Sequence, residues 1–165
     1  LDSDDTWKHN KLYTQLKYMI KNKYDFTFSD YCTYYEKDKK IKKKNFTNLK
    51  NSFNYQEFIL NSSINSSTMI LKREVLKGIK FKKLNLLEDY IFKCQILKKN
   101  YTANKISQVL AYYRVYEHNR SKNKLNNLLF LWKVNKKYNK LNFLENLKSV
   151  ISISYNSLKK YHWQK

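Results

Sequence analysis

Residues 1–7 read LDSDDTW, and this stretch predicts the point at which a buried strand gives way to a helix. Asp4, Asp5 and Thr6 are residue types that favour a helix start. Apolar residues then recur at helical spacing at Leu12, Leu16, Met19 and Ile20. We therefore expect a helix over residues 7–22, entered through an acidic strand-to-helix junction.

Strands and helices alternate along the rest of the chain. Aromatic and Thr-rich runs predict strands, and runs with helical spacing predict helices. The predicted strands are residues 24–36, 67–71 and 106–116, and the predicted helices are residues 55–60, 72–77, 88–99, 125–137 and 141–160. A basic loop or hairpin tip is predicted at 37–44, and Gly78 should end the turn at 72–77 in a left-handed conformation. Such interleaving is typical of the α/β or α+β class.

The composition indicates a folded domain. The chain has 165 residues, of which 42% are hydrophobic and 16% aromatic, so a disordered segment is excluded. One glycine and no proline argue against a loop-rich sandwich and against glycine-rich phosphate loops. No apolar run is long enough to span a bilayer. Cys32 and Cys94 lie far apart in no paired motif, which indicates a reducing, cytoplasmic setting.

The charge is strongly positive. Lys and Arg number 34 against 13 Asp and Glu, which gives a formal net charge of +21. Such a field attracts nucleic acids, anionic lipids or phosphorylated substrates without choosing among them. Arginine occurs only at Arg73, Arg114 and Arg120. Because direct reading of bases relies on arginine, no sequence-specific nucleic-acid partner is expected.

Three carboxylates, Asp2, Asp4 and Asp5, stand within four residues of one another. Carboxylates this close repel each other, and a divalent cation such as Mg²⁺ or Mn²⁺ removes that repulsion. The alternative is that Asp4 or Asp5 caps the following helix.

Glu88 and Asp89 form a second acidic pair, within LLEDYIF. They precede a helix, where acidic residues compensate the helix dipole. The functional alternative is a general base at the edge of the core, within reach of an acceptor hydroxyl.

A third segment, AYYRVYEHNRSKNK at 111–124, follows a predicted strand. Its donors suit the neutralisation of a diphosphate; they are Arg114, His118, Arg120, Ser121 and Lys122. A solvated basic loop is the alternative.

Taken in order, the blocks LDSDDTW, FTFSDY, FILNSSINSSTMILKREVL, LLEDYIF and AYYRVYEHNRSKNK resemble the second half of a bacterial family 2 glycosyltransferase. The resemblance covers about residues 1–124. It implies an α/β chain with a partial GT-A (nucleotide-diphospho-sugar transferase) fold that lacks its N-terminal Rossmann-like strands. Residues 1–124 would be the acceptor-side, catalytic half, and residues 125–165 an extension of C-terminal amphipathic helices. A fragment of this kind should be inactive on its own.

The resemblance also implies roles for individual residues. Asp2 and Asp4, with Asp4 as the direct ligand, would hold a divalent metal (Mn²⁺ or Mg²⁺) that bridges the donor diphosphate. Asp89, beside Glu88, would be the catalytic base of an inverting transfer. Donor-diphosphate contacts would come from Asp5, Arg114, His118, Arg120 and Ser121, and the acceptor-side strand would carry Ser66, Ser67 and Thr68.

One position departs from the family pattern. Many relatives carry a histidine two residues after the arginine of the YYR block, where this chain has Tyr116. His118 follows two positions later.

The implied partners are a nucleotide-sugar donor and a glycan or polyprenyl-linked acceptor, in the synthesis of a surface polysaccharide such as lipopolysaccharide or capsule.

The basic, amphipathic residues 125–160 either pack on the catalytic domain or dock on an anionic membrane surface. The implied location is cytoplasmic, at the inner face of the cytoplasmic membrane. A different class of function is a basic module that binds nucleic acid or a membrane surface without catalysis.

Overall fold

The computed structural model describes residues 1–37, 40–46, 50–84, 86–115 and 124–162, with side chains omitted at 35–37, 40–46, 115, 124 and 160–162. These residues form two compact units. Unit 1 comprises Leu1–Phe53, Ser63–Lys77 and Tyr101–Arg120; unit 2 comprises Asn54–Ser62, Gly78–Asn100 and Ser121–Lys165. The boundaries between these units differ from the division at 124/125 that the sequence predicts. That division separates a catalytic half from a helical extension, and it stays a prediction.

Unit 1 is built on a mixed sheet. Its strands are β1 (Thr6–Trp7), β2 (Phe26–Lys37), β3 (Lys40–Phe46), β4 (Ser52–Phe53), β5 (Ile70–Leu71) and β6 (Ala103–Val115). The order is β1-β6-β2-β3, with β4 paired to β6 and β5 paired to β2. Strands β2 and β6 run parallel, and the other pairs are antiparallel. The α/β expectation is confirmed, and the basic segment at 40–44 is a strand of a hairpin with β2.

The two central strands carry the core of unit 1. Their sequences are rich in aromatic and β-branched residues, which favour strands. Phe26, Phe28 and Tyr31 of β2 are buried, as are Ile106 and Leu110 of β6. The predicted strands at 24–36 and 106–116 are therefore confirmed to within a few residues.

Helix α1 (Lys11–Asn22) is shorter at its start than the sequence predicts. Trp7 does not belong to it, because Thr6 and Trp7 pair with Tyr112 and Ala111 of β6. Asn10 occupies the N-cap position. The expectation of a helix beginning at Trp7 is wrong, since a long-range strand pairing takes these residues.

The predicted strand at 67–71 is only partly correct. Ser66–Thr68 form a 3₁₀ turn, and only Ile70–Leu71 are extended. The Asn65 side chain accepts a hydrogen bond from the Ser67 amide at 2.8 Å, which starts the turn locally. Gly78 has a φ of 72°, the left-handed value predicted for it.

Unit 2 is helical in the part that is described. Its helices are α2 (Tyr55–Asn61), α3 (Glu88–Leu97), α4 (Lys124–Val134), a π-helical turn (Asn135–Asn139) and α5 (Phe143–His162). The predicted helices are confirmed with small shifts of their ends. The Asn54 and Glu57 side chains form a capping box that fixes the start of α2. The core includes Phe58, Ile91, Ile96, Leu97 and Leu131.

Candidate functional site

The acidic segment at the start of the chain is a turn. The Asp5 amide donates to the Asp2 carbonyl at 3.2 Å, which brings three carboxylates into a small space. Asp2 is exposed and Asp4 is partly exposed. Asn10 occupies the N-cap position of α1 without a side-chain capping hydrogen bond, and the first turn of the helix holds no acidic residue, so neither Asp4 nor Asp5 serves as a helix cap. The capping alternative for this segment is therefore wrong.

Asp5 points inward, with 5% of its surface exposed. Its Oδ1 accepts a hydrogen bond from the Arg114 amide of β6 at 3.1 Å, across 109 residues of sequence. Burial is the largest influence and raises the pKa of Asp5. Hydrogen bonding to Ser67 and to the Arg114 amide lowers the pKa less strongly, and the charges on Asp2 and Asp4 make the smallest contributions, both of which raise it. Its buried Oδ2 makes no hydrogen bond of good geometry to any residue the structure describes.

Arg114 lies on β6 beside the acidic turn. Its Nε donates to the Tyr34 hydroxyl at 2.7 Å, and its guanidinium lies 5.1 Å from the centre of that ring. The Tyr34 hydroxyl in turn donates to the Asp4 carbonyl at 3.4 Å. Arg114 and Tyr34 are paired residues on the parallel strands β6 and β2. The sequence interpretation missed Tyr34, whose contribution depends on that strand pairing.

Ser67 ties the acidic turn to the 3₁₀ turn at 66–68. Its Oγ accepts from the Asp2 amide at 3.2 Å, and its carbonyl accepts from Trp7 Nε1 at 2.7 Å. Ser67 and Thr68 are both buried, whereas Ser66 is partly exposed. Of the three predicted acceptor-side residues, two thus face inward, and Ser67 holds the acidic turn in place.

A buried polar chain links α1 to the same turn. Lys11 is fully buried; its Nζ donates to Gln15 Oε1 at 2.8 Å and lies 4.3 Å from the centre of the Trp7 ring. Gln15 Nε2 donates to the Thr68 carbonyl and to Thr27 Oγ1, each at 3.0 Å. No feature of the sequence distinguishes Lys11 from the many exposed lysines, so sequence reasoning could not find it.

Burial lowers the pKa of Lys11 to about 8. An ordinary lysine in the unfolded chain titrates near 10.4, so the unfolded state binds more protons between about pH 8 and pH 10. The free energy of unfolding should therefore rise with pH across this window. We expect Lys11→Met to remove that rise, so that its stability relative to wild type falls by about 2 kcal/mol between pH 7 and pH 10.

Urea unfolding at several pH values measures this difference. Lys21→Met is the matched control, because Lys21 is exposed on the same helix. The control should show a constant offset from wild type. Parallel pH profiles for Lys11→Met and wild type would mean that Lys11 does not carry the effect.

The second acidic pair lies in unit 2, in the first turn of α3. Asp89 Oδ1 accepts from the Tyr90 amide at 2.8 Å, and Oδ2 pairs with Lys93 Nζ at 2.7 Å. The Asp89 side chain is 46% exposed, whereas that of Lys93 is 2% exposed. Glu88 is partly exposed. This position is consistent with dipole compensation and leaves the Asp89 carboxylate accessible to solvent.

The remaining predicted donors, His118, Arg120, Ser121 and Lys122, lie outside the described residues. Within the described ranges, no cluster of three or more His, Cys, Asp or Glu side chains has the arrangement of a metal site. The acidic turn nevertheless fits a divalent cation chemically. It offers carboxylate oxygens, and the charges of Asp2 and Asp4 act on Asp5. Mg²⁺ usually takes only one or two protein carboxylates, with water and phosphate oxygens completing its shell.

A surface cavity of about 360 Å³ lies elsewhere in unit 1. It is lined by Asp25, Lys72, Glu74, Val75 and Tyr101. Lys72 and Asp25 form an ion pair there at 2.6 Å. None of the residues predicted for sugar transfer lines it.

Comparisons with known proteins agree with the sequence resemblance. No protein-family model matches the chain. It is 30% identical over 121 residues to TuaG of Bacillus subtilis, a protein named as a glycosyltransferase of teichuronic acid biosynthesis, covering 73% of this chain and 47% of that protein. It is 36% identical over 119 residues to WfaP of Escherichia coli, named as a UDP-Glc:α-D-GlcNAc-diphosphoundecaprenol β-1,3-glucosyltransferase, covering 70% and 44%.

An α/β chain with a mixed sheet is compatible with part of a nucleotide-sugar transferase. Two bacterial glycosyltransferases thus match about 70% of this chain at 30–36% identity, which supports a bacterial glycosyltransferase family. It spans about half the length of the curated relatives it matches.

Proposed function

We propose that this chain carries the catalytic, acceptor-side part of an inverting family 2 glycosyltransferase of GT-A fold. The observation that supports it best is the hydrogen bond between Asp5 Oδ1 and the Arg114 amide. This bond joins the acidic motif to the arginine motif, two of the three segments in which the family's chemistry is expected. It places the acidic turn beside the strand that carries Arg114, and carboxylates that hold a divalent cation next to a guanidinium would suit a diphosphate.

The substrate classes follow from the relatives. The name of one relative gives a UDP-sugar donor and a diphosphoundecaprenol-linked acceptor, and that of the other gives teichuronic acid synthesis. We therefore assign this chain a nucleotide-sugar donor and a glycan or polyprenyl-linked acceptor. The process would be surface polysaccharide biosynthesis, at the cytoplasmic face of the membrane.

In this proposal Asp4 and Asp2 hold Mn²⁺ or Mg²⁺, because both carboxylates are accessible on the turn. The cation would supply positive charge that stabilises the departing nucleoside diphosphate. Asp5 acts indirectly, since its carboxylate is buried and bonded to the Arg114 amide. The Arg114 guanidinium, oriented by Tyr34, would contribute further positive charge, together with His118, Arg120 and Ser121.

Asp89 is proposed as the base. It would accept the proton of the acceptor hydroxyl while the acceptor oxygen forms its bond to the anomeric carbon. The bond from that carbon to the diphosphate oxygen breaks, and its electron pair leaves with the nucleoside diphosphate. The Tyr90 amide donates to one oxygen of Asp89 and the Lys93 ammonium to the other, and these two bonds orient the carboxylate.

Chelation tests the proposal directly. The natural gene product that contains these residues is incubated with a radiolabelled nucleotide sugar and a GlcNAc-diphosphopolyprenol acceptor. We expect transfer to fall at least about a hundredfold with EDTA and to return with Mn²⁺ or Mg²⁺. Full transfer in EDTA would contradict the metal role of the acidic turn. Absence of transfer from all uridine, guanosine, thymidine and cytidine diphosphate sugars would contradict the function.

The charge of +21 supports one other candidate, a basic module that binds nucleic acid without catalysis. Such binding depends on counterion release, so its affinity should fall steeply with salt. A filter-binding titration with single- and double-stranded DNA at increasing salt distinguishes the two. Tight, salt-sensitive binding together with no sugar transfer would favour the basic module.

A further inference from the structure

Helix α5 buries polar side chains. Asn146 and Ser149 are almost completely buried on its inner side. Asn146 Nδ2 donates to the Trp132 carbonyl at 3.0 Å, and Ser149 Oγ donates to the Ile59 carbonyl at 2.6 Å. Asn156 Nδ2 donates to the Leu60 carbonyl at 3.1 Å. Three hydrogen bonds therefore help to hold α5 within unit 2.

The opposite side of α5 is apolar and exposed. The exposed fractions are 74% for Leu144, 40% for Leu147, 59% for Ile151, 65% for Tyr155 and 48% for Leu158. Their spacing of three or four residues places them in one stripe along the helix, about 20 Å long at a rise of 1.5 Å per residue. Contiguous apolar surface of this kind is rare on proteins that meet only water and marks an interaction surface.

Lysines border this stripe. Lys148 and Lys159 are exposed and follow stripe residues directly in sequence. Residues 124–165 contain nine lysines and a single glutamate, with no aspartate. An apolar stripe flanked by lysine is the pattern of a helix that lies in the interface of an anionic bilayer. Each lysine near such a surface adds electrostatic attraction to the anionic headgroups.

The positive charge also bears on which partner covers the apolar stripe of α5. Two copies of this positive segment would repel each other, which disfavours self-association through the stripe. A nucleic acid would meet the lysines but leave the leucines in water. No helix in the described part of the chain is long and apolar enough to cross a membrane. An anionic bilayer surface matches both the stripe and the lysines.

We propose that the outer face of α5 docks this protein on a membrane surface rich in anionic lipid, with Leu147, Ile151 and Tyr155 entering the headgroup region. This inference does not depend on sugar transfer, so either can fail without the other. It would place the chain where lipid-linked molecules are found.

Vesicle flotation of the natural gene product that contains these residues tests the docking. Vesicles contain phosphatidylcholine alone or with about one third phosphatidylglycerol, to supply the anionic charge. We expect wild type to float with the anionic vesicles and Ile151→Glu to bind them at least about tenfold more weakly, since the change removes buried apolar area and adds repulsion. Ser157→Glu adds the same charge at an exposed position of α5 outside the stripe, and should bind within about twofold of wild type.

Circular dichroism melting checks that Ile151→Glu remains folded, which is expected because Ile151 is largely exposed. Equal flotation of Ile151→Glu and wild type, or failure of wild type to float, would overturn the proposal. So would light scattering that shows a dimer in wild type and a monomer in Ile151→Glu, since the stripe would then be a contact between copies. Binding to DNA that Ile151→Glu leaves unchanged, with no flotation, would also overturn it.

Discussion

Asp89→Asn is expected to lower sugar transfer by about 10²–10⁴-fold, the range that removal of a general base produces. The amide keeps the size of the carboxylate but cannot accept the proton of the acceptor hydroxyl. Donor binding should change little, because the base acts on the acceptor. Initial rates of transfer and the affinity for the nucleotide sugar are both measured on the natural gene product that contains these residues.

The ion pair between Asp89 and Lys93 makes a control necessary. Lys93 is buried, so removing the Asp89 charge takes away a counter-charge and destabilises α3. Lys93→Met removes the buried ammonium and leaves the carboxylate, and it should keep transfer within about tenfold of wild type. The double variant Asp89→Asn/Lys93→Met should regain stability and stay inactive. Active double-variant protein would remove Asp89 from the role of base and leave it a structural one.

Asn135→Ala is expected to destabilise unit 2 by about 3–5 kcal/mol, because it breaks a buried network of hydrogen bonds. Asn135 is fully buried. Its Oδ1 accepts from the Tyr90 hydroxyl and from Asn139 Nδ2, both at 2.9 Å, and its Nδ2 donates to Asn146 Oδ1 at 3.1 Å and Ser149 Oγ at 3.0 Å. The two N–H groups and the two acceptor sites of this side-chain amide are all used. Truncation to alanine therefore removes one hydrogen bond from each of four buried partners.

Urea unfolding followed by circular dichroism measures this loss. Asn142→Ala is the control variant, because its loss of stability should be smaller. Asn142 lies on the exposed surface, where its side chain caps α5 by accepting a hydrogen bond from the Glu145 amide at 2.9 Å. Loss of such a cap costs about 1 kcal/mol. Equal destabilisation by the two variants would show that the Asn135 network contributes no more than a surface cap.

The fold could be predicted from the sequence wherever local signals decide it. Helix α2 begins as expected because Asn54 and Glu57 form a capping box four residues long. The start of α1 could not be predicted in this way. The pairing of Thr6 and Trp7 with β6 depends on residues more than a hundred positions away. The strand pairing with β6 overrides the local preference of Thr6 and Trp7 for a helix start.

The periodicity of α5 predicted a helix but not which of its faces is buried. Leu144, Leu147 and Ile151 look like core residues in the sequence, yet all three are exposed. The reason is the position of Asn135, whose hydrogen bonds draw Asn146 and Ser149 inward. Helix α5 does pack on α2, within residues 1–124, through Ser149 and Asn156, but Leu144, Leu147 and Ile151 lie on the exposed side of the helix.

The sequence motifs predicted which residues belong to the candidate site, but only part of how these residues are arranged. The acidic turn and Arg114 do lie together, as their motifs indicate. The sequence could not show that Tyr34 contacts both, or that Ser67 faces inward. Those relations arise from strand register and from the turn that Asn65 starts. The motif residues could be predicted from the sequence, whereas the residues that contact and orient them could be identified only from the structure.

The bonds from Ser67 to Asp2 and Trp7 determine where this chain can change length. They pin together two segments separated by about sixty residues, and everything between them forms a closed loop. Extra residues at the β2–β3 hairpin lengthen that loop at a cost that grows only slowly with its size. A single residue inserted between Asp2 and Trp7 would instead shift the acidic side chains against their fixed partners. Length variation among relatives should therefore be concentrated at the hairpin and absent from the first seven residues.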